Sequence, residues 1–385
     1  MAASPDPVAM PPVPLVDVQR QMAALGAAIH ARMDAVLARG DFILGREVKE
    51  LEARLADYTG VAHAITVANG TEALVIPLMA LGVGPGDAVF VPAFTFAATA
   101  GAVALCGATP VFVDIDDASL NMDPAHLEAQ IATVRQAGRL RPRAVIPVDL
   151  FGRPADYPAI RKLAQAEKLL LIADAAQSFG AVQAGPEGAW RAGSLAPVTT
   201  TSFYPSKPLG CFGDGGAIFT ADDGLAEDCR RLRGHGFDQS GEAQRVGMNS
   251  RLDSLQAAVL LAKLDAFEDE LAARAQAAAW YEARLSAHVR TPLPPGNDRS
   301  AWAVYAIRSP ERDRLRRALA DAGIASAIYY AKPLHLHSAY AGYGSGAGSL
   351  PVSERVSREV LALPMHGYLD EATIERVCDT LLAAL

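Results

Sequence analysis

The sequence predicts an α/β protein: a mostly parallel sheet covered by helices on both faces, joined to a smaller C-terminal α/β unit. Three observations carry that reading. Short uncharged runs rich in Val, Ile and Phe alternate with helical patterns between His63 and Gly180, as strands buried on both faces do. One stretch, Ala88–Val113, has 26 residues without a charge, long enough for a bilayer span. Pro92 and Pro110 instead divide it into strand, Ala/Thr/Gly-rich helix and strand, and its threonines lower its hydropathy further. After Asn249 the pattern changes, and helical spacing dominates before a second, shorter alternation begins.

Residues 1–14 carry no basic run and are broken by prolines, so they read as a loose arm and not as a secretion signal. Gln19–Arg39 and Glu47–Tyr58 have helical spacing, with Gly60 as the stop of the second. "HAITVANG" is then a strand before the helix "TEALVIPLMALG", and "AVFVPAFTF" a strand before an alanine-rich helix. "ATPVFVDID" precedes "PAHLEAQIATV", "RAVIPVDLFG" precedes "YPAIRKLAQAEK", and "LLLIADAAQS" leads to the stretch Thr201–Thr220. Right-handed crossovers place the strand C-termini along one edge. Ser250 with Asp253 resembles a capping box opening a long helix to Leu285. "AWAVYAIRS" and "IASAIYY" read as strands, "RDRLRRALADAG" and "DEATIERVCDTLLAAL" as helices. The expected division is a large unit at 15–265 and a small one at 266–385.

The bulk properties of the 385 residues suit a soluble enzyme. A net charge of −8 argues against nucleic acid as a partner. The four cysteines are widely spaced without a CxxC, so neither zinc nor a disulfide framework is indicated, which suits a reducing, cytoplasmic setting. His335, His337 and His366 lack acidic or cysteine partners at metal-binding spacing, and no metal is expected. Arg230, Arg231 and Arg233 read as a solvated helix face.

Lys207 lies between Pro205 and Pro208, ahead of the glycine-rich run "GCFGDGG". A poorly solvated lysine has a lowered pKa and becomes a nucleophile toward carbonyls; a surface-loop lysine is the ordinary alternative. Asp174 and Gln177 end the run "LLLIADAAQ", where a carboxylate serves either chemistry at the ligand edge or a helix N-cap. Gly70 and Thr71 lie at a strand-to-helix turn whose free amides, with hydroxyls from Thr71 and Ser202, suit a phosphate. Phe94 and Phe96 follow a strand end, and either can offer a flat face or join the core. An amine, a carboxylate, a phosphate cradle and a flat apolar face together are what pyridoxal 5′-phosphate requires.

At the level of motifs, "GTEAL", "FTFAAT", "ADAAQSFG", "SFYPSKPLGCFGDGGA" and "RVGMNSRLDSLQAA" resemble those of the DegT/DnrJ/StrS aminotransferases, from "VDVQRQ" to "LPMHGYLD". The resemblance implies a fold-type I, aspartate aminotransferase-like enzyme with a seven-stranded sheet. It implies pyridoxal 5′-phosphate linked to Lys207, Asp174 on the pyridinium, Gln177 beside the ring hydroxyl and Phe96 stacked on the ring. Gly70, Thr71, the amide of Glu72 and Ser202 would hold the phosphate, with Asn249 reaching the site of the other subunit of a homodimer. Arg251, Tyr329, Tyr330 and Lys332 would meet the substrate. The implied reaction moves an amino group from L-glutamate to a nucleotide-linked keto sugar. The likeness is strongest to members acting at C3 of UDP-2-acetamido-2-deoxy-3-keto-glucuronic acid, for cell-surface polysaccharides such as O-antigen. Tyr329, Lys332 and His337 depart from the residues expected there. A dTDP- or GDP-linked 3- or 4-keto-6-deoxy sugar is the alternative substrate, and a non-catalytic regulatory protein the alternative role.

Overall fold

The computed structural model describes residues 11–185, 188–238, 240–293 and 296–385. Residues 1–10 of the predicted arm therefore lie outside the described residues.

Two helices come first, α1 (Val18–Arg39) and α2 (Arg46–Thr59), and Gly60 ends α2 in the left-handed region at φ 72° as expected. Strands and helices then alternate: β1 (His63–Val67), α3 (Gly70–Ala80), β2 (Asp87–Pro92), α4 (Ala97–Leu105), β3 (Thr109–Val113), α5 (Pro124–Ala137), β4 (Arg141–Val145), α6 (Tyr157–Glu167) and β5 (Leu170–Asp174). A hairpin of β6 (Val182–Gly185) and β7 (Gly188–Arg191) precedes β8 (Val198–Ser202), β9 (Gly216–Thr220) and α7 (Asp223–Arg233). The seven-stranded sheet runs β1-β9-β8-β5-β4-β2-β3, all parallel except β9, which is antiparallel to both neighbours. Pro110 is tolerated because β3 is an edge strand.

Side chains alternate between two cores, one on each sheet face. Phe90, Ala173 and Phe219 join α2, α5, α6 and the helix after Asp253, whereas Val89, Ile172 and Ile218 join α3, α4 and α7. The uncharged run Ala88–Val113 is thus a buried strand, helix, strand unit, and among the described residues no helix is long and apolar enough to cross a membrane.

Beyond Asn249 come α8 (Ser254–Asp265), α9 (Phe267–Leu285), β10 (Tyr305–Arg308), α10 (Arg312–Asp321), α11 (Pro351–Glu359), β11 (Val360–Leu363) and α12 (Glu371–Ala383). β10 and β11 form a separate antiparallel pair, and Tyr281, Ile307, Leu319 and Val377 form a further core.

Five expectations are corrected. The helix to Leu285 is two helices, because the backbone departs from helical geometry at Ala266 (φ −106°, ψ 7°). Ser250 is no cap: Asp253 takes that position, while the buried Ser250 hydroxyl accepts from the Ala68 N–H at 3.3 Å. "IASAIYY" forms no strand; only Ile324 and Ala327 make single bridges, to Val13 and Ala362. The first of these bridges also shows that the described end of the arm is not loose, since Val13 is buried and its N–H donates to Gly323 O at 2.9 Å. Arg233 is buried instead of solvated and donates to Glu52 and to the Thr66 carbonyl.

Candidate active site

The C-terminal edge of the sheet opens into a cavity of about 650 Å³. Four strands deliver something to it: α3 starts just beyond β1, Phe96 follows β2, and Asp174 and Ser202 are the last residues of β5 and β8. This is where a parallel sheet leaves unpaired backbone and loop side chains.

Asp174 is buried on the cavity floor, 5 % exposed. The Thr99 hydroxyl donates to Oδ2 at 2.8 Å and the Ala176 N–H to Oδ1 at 3.2 Å. No helix follows Asp174, so the capping alternative does not hold. Burial raises its pKa, against the pull of the two donors and of Lys207. Lys207 lines the same cavity, and its pKa is lowered by burial, with Asp174 acting the other way. Its own N–H donates to Tyr204 O at 2.8 Å, closing a tight turn. A partly desolvated amine and a buried carboxyl therefore face one space.

Gly70 and Thr71 open α3, whose first amides have no acceptor inside the helix. Gly70 is obligatory in size: a Cβ there would come within 2.6 Å of the Ser202 Cβ. Asn69 caps the helix, its Oδ1 accepting from the Glu72 N–H at 2.9 Å. That bond competes with a phosphate for the Glu72 amide, whereas among the described residues the amides of Gly70 and Thr71 have no acceptor. The two phenylalanines separate: Phe94 is in the core, 1 % exposed, while Phe96 is 59 % exposed and lines the cavity. Gln177 Oε1 accepts from the Phe151 N–H at 2.7 Å, which turns its Nε2 to donate to the Tyr330 hydroxyl at 3.1 Å. Burial holds the Tyr330 hydroxyl well above the ordinary tyrosine range.

The structure thus brings Gly70, Thr71, Phe96, Asp174, Gln177, Ser202, Lys207, Tyr329 and Tyr330 to one cavity. Asn249, Arg251 and Lys332 do not line it. Arg251 Nε donates to Asn249 Oδ1 at 2.9 Å, Asn249 and Lys332 are exposed, and the Lys332 carbonyl bonds to His337. Sequence reasoning missed Asn69, for which the N-cap pattern before Glu72 was a usable signal, and Thr99, whose partner lies 75 residues away. It also missed Asp149, a fully buried carboxyl held by Ser178, Tyr157 and the Ala155 N–H, which burial pushes up to about 7.

These residues fit pyridoxal 5′-phosphate. Glycine at position 70 keeps open a cradle that a Cβ would fill, two helix amides are free for an anion, a carboxyl sits on the floor, and an amine stands within the same walls.

The chain matches the DegT/DnrJ/EryC1/StrS aminotransferase family over residues 24–382. It belongs to that family. This aminotransferase is 46 % identical to a UDP-2-acetamido-2-deoxy-3-oxo-D-glucuronate aminotransferase of Pseudomonas aeruginosa, over 96 % of this chain and 99 % of the relative. It is 41 % identical to a UDP-N-acetyl-3-dehydro-alpha-D-glucosamine 3-aminotransferase of Acidithiobacillus ferrooxidans, over 97 % and 98 %. A crystal structure of a family member from Brucella abortus superposes with a TM-score of 0.93 at 48 % identity, covering 96 % of this chain and 99 % of the other. The predicted fold, the transaminase class and the dependence on pyridoxal 5′-phosphate all stand.

Proposed function

We propose that this aminotransferase moves an amino group from L-glutamate to the 3-keto group of a UDP-linked 2-acetamido sugar, with the 3-keto-glucuronic acid as the leading substrate. The observation that carries the chemistry is the meeting of Lys207 and Asp174 in one cavity at the sheet edge. The substrate class rests on similarity to relatives named for 3-oxo UDP-sugars across nearly the whole chain.

When bound, pyridoxal 5′-phosphate supplies an electron sink for the pair left when a C–H bond next to nitrogen breaks. Asp174 would pair with the ring nitrogen, and Thr99 and the Ala176 N–H fix its oxygens for that task. The amides of Gly70 and Thr71, with the Thr71 and Ser202 hydroxyls, would hold the phosphate, and Phe96 would cover a ring face. Gln177, oriented by the Phe151 N–H, would meet the ring hydroxyl. Lys207 would carry the covalent link and then move the proton at Cα of the donor and C3 of the sugar; its lowered pKa keeps more of the amine neutral.

The active site would be completed by a second copy of the chain, with residues 15–265 and 266–385 as its large and small units. Phe42 and Ile43 are 45 % and 48 % exposed beside the start of α8, and Asn249 is exposed and does not line its own cavity. Tyr329 and Tyr330 line the substrate side, and Arg251 and Lys332 would supply cations for a carboxylate or diphosphate.

The test is a panel of UDP-, dTDP- and GDP-linked amino sugars run in reverse with 2-oxoglutarate, following glutamate. Turnover confined to dTDP or GDP sugars would overturn the UDP assignment. Equal turnover of 3-amino UDP sugars with and without a C6 carboxylate would overturn the uronic acid assignment.

A further inference from the structure

One face of α8 reaches the loop that carries Lys207. Gln256 and Lys263 are seven residues apart on this helix and so share a face. Gln256 Oε1 accepts from the Phe212 N–H at 2.8 Å. Lys263 Nζ donates to Gly210 O at 2.6 Å and lies 4.6 Å from the centroid of the Phe212 ring. The loop is folded tightly upon itself between those contacts. Phe203 N–H donates to Gly215 O and Cys211 N–H to Phe203 O, both at 2.8 Å. A Cβ on Gly210 would stand 2.7 Å from the carbonyl oxygens of both Tyr204 and Pro205. Those residues begin the turn closed by the Lys207 amide, so Gly210 packs directly against the backbone that carries Lys207.

Lys263 is 2 % exposed, and among the described residues the Gly210 carbonyl is its one hydrogen-bond acceptor. Burying an ammonium is costly, and burial pushes its pKa down to about 8, with the Glu270 carboxylate acting the other way. An apolar side chain of equal length would fill the same space without that cost. What the charge adds is a directed bond to the loop.

We infer that Lys263 is a positioning residue which, with Gln256, clamps residues 204–213 in the shape that presents Lys207 to Asp174. It touches neither reacting atoms nor the cavity, and it acts through the backbone. The inference rests on the reading of Lys207 as the residue linked to the cofactor.

Lys263→Met removes the charge and keeps the length, Lys263→Arg keeps the charge, and Gln256→Leu removes the second contact. Each variant is followed by amide hydrogen exchange and by capture of pyridoxal 5′-phosphate at Lys207, trapped with borohydride and read by peptide mass. Lys263→Met is expected to speed exchange of residues 208–213 at least tenfold and to slow capture at least tenfold, with the sheet strands unchanged. Lys263→Arg should recover at least half of the capture rate, and Gln256→Leu should give a loss in the same segment of about threefold. If Lys263→Met does not fold, Gln256→Leu decides alone. Exchange and capture within twofold of the wild type in the folded variants, or exchange raised evenly through the sheet, would overturn the clamp. If the wild type traps no cofactor at Lys207 while Lys263→Met still loosens 208–213, the reading of Lys207 falls and the clamp stands.

Discussion

The two sides of the cavity are built in opposite ways. On the cofactor side most groups are held: Asp174 by two donors, Gln177 by the Phe151 N–H, Gly70 against Ser202, and Lys207 in a closed turn. On the substrate side Lys332 is exposed, and among the described residues Arg251 is held by one side-chain bond, to Asn249. The contrast shows which half a single chain can organise. The cofactor half is made from loops anchored at strand ends, whereas the substrate half presents long polar side chains whose partners would be a nucleotide sugar and a second subunit.

If that contrast is right, the largest effects lie on the held side. Lys207→Ala should lower amino transfer by about 10³-fold or more, since both the nucleophile and the proton carrier are lost; single-turnover assays with glutamate check it. Asp174→Asn should cost about 10²–10³-fold in kcat with a smaller change in KM, as loss of a fixed charge at the reacting group does. Equal loss in kcat from Arg251→Ala and from Asp174→Asn would erase the distinction between the two sides. Arg251→Ala is instead expected to raise the sugar-nucleotide KM about tenfold with kcat little changed. Mixing Lys207→Ala with Asn249→Ala protein tests the shared site: hybrid dimers should regain activity above either parent, because one of their two sites is then intact. No gain in verified hybrids would place Asn249 in its own chain's site.

The smallest effect concerns stability beneath the site. Asp149 keeps its proton in the folded protein up to about pH 7, whereas an unfolded aspartate loses it near pH 4. Between those values the folded state binds more protons, so this group's contribution to stability falls as pH rises from about 4 to 7. Asp149→Asn cannot titrate, and its urea midpoint relative to the wild type should therefore improve between pH 5 and pH 8, by about 1–3 kcal/mol in stability. An unchanged difference would mean that Asp149 is ionised throughout.

The alternation of strands and helices was legible because a strand buried on both faces must be apolar along its length, and β2, β3 and β5 advertise themselves by that, whereas β4 carries Arg141 and Arg143 and is apolar only at its end. The proposed cofactor residues that line the cavity were legible for a related reason: each lies within a few residues of a strand end, so Asp174, Ser202, Gly70 and Phe96 are placed by local sequence. The chain beyond Asn249 was read less well. "IASAIYY" has the composition of a strand, but bonds through only single bridges to Val13 and Ala362, and nothing in its own seven residues says so.

The sequence by itself determined the sheet and the turn at Lys207, since apolar runs, Pro205, Pro208 and the glycines act over a few residues. Only the tertiary structure decided which aromatic ring faces the cavity, that Asn69 takes the Glu72 amide, that Thr99 holds Asp174 and that Lys263 grips Gly210. Thr99 and Lys263 act on partners 75 and 53 residues away. Such bonds depend on burial and orientation, which exist only once the sheet and its helices have packed.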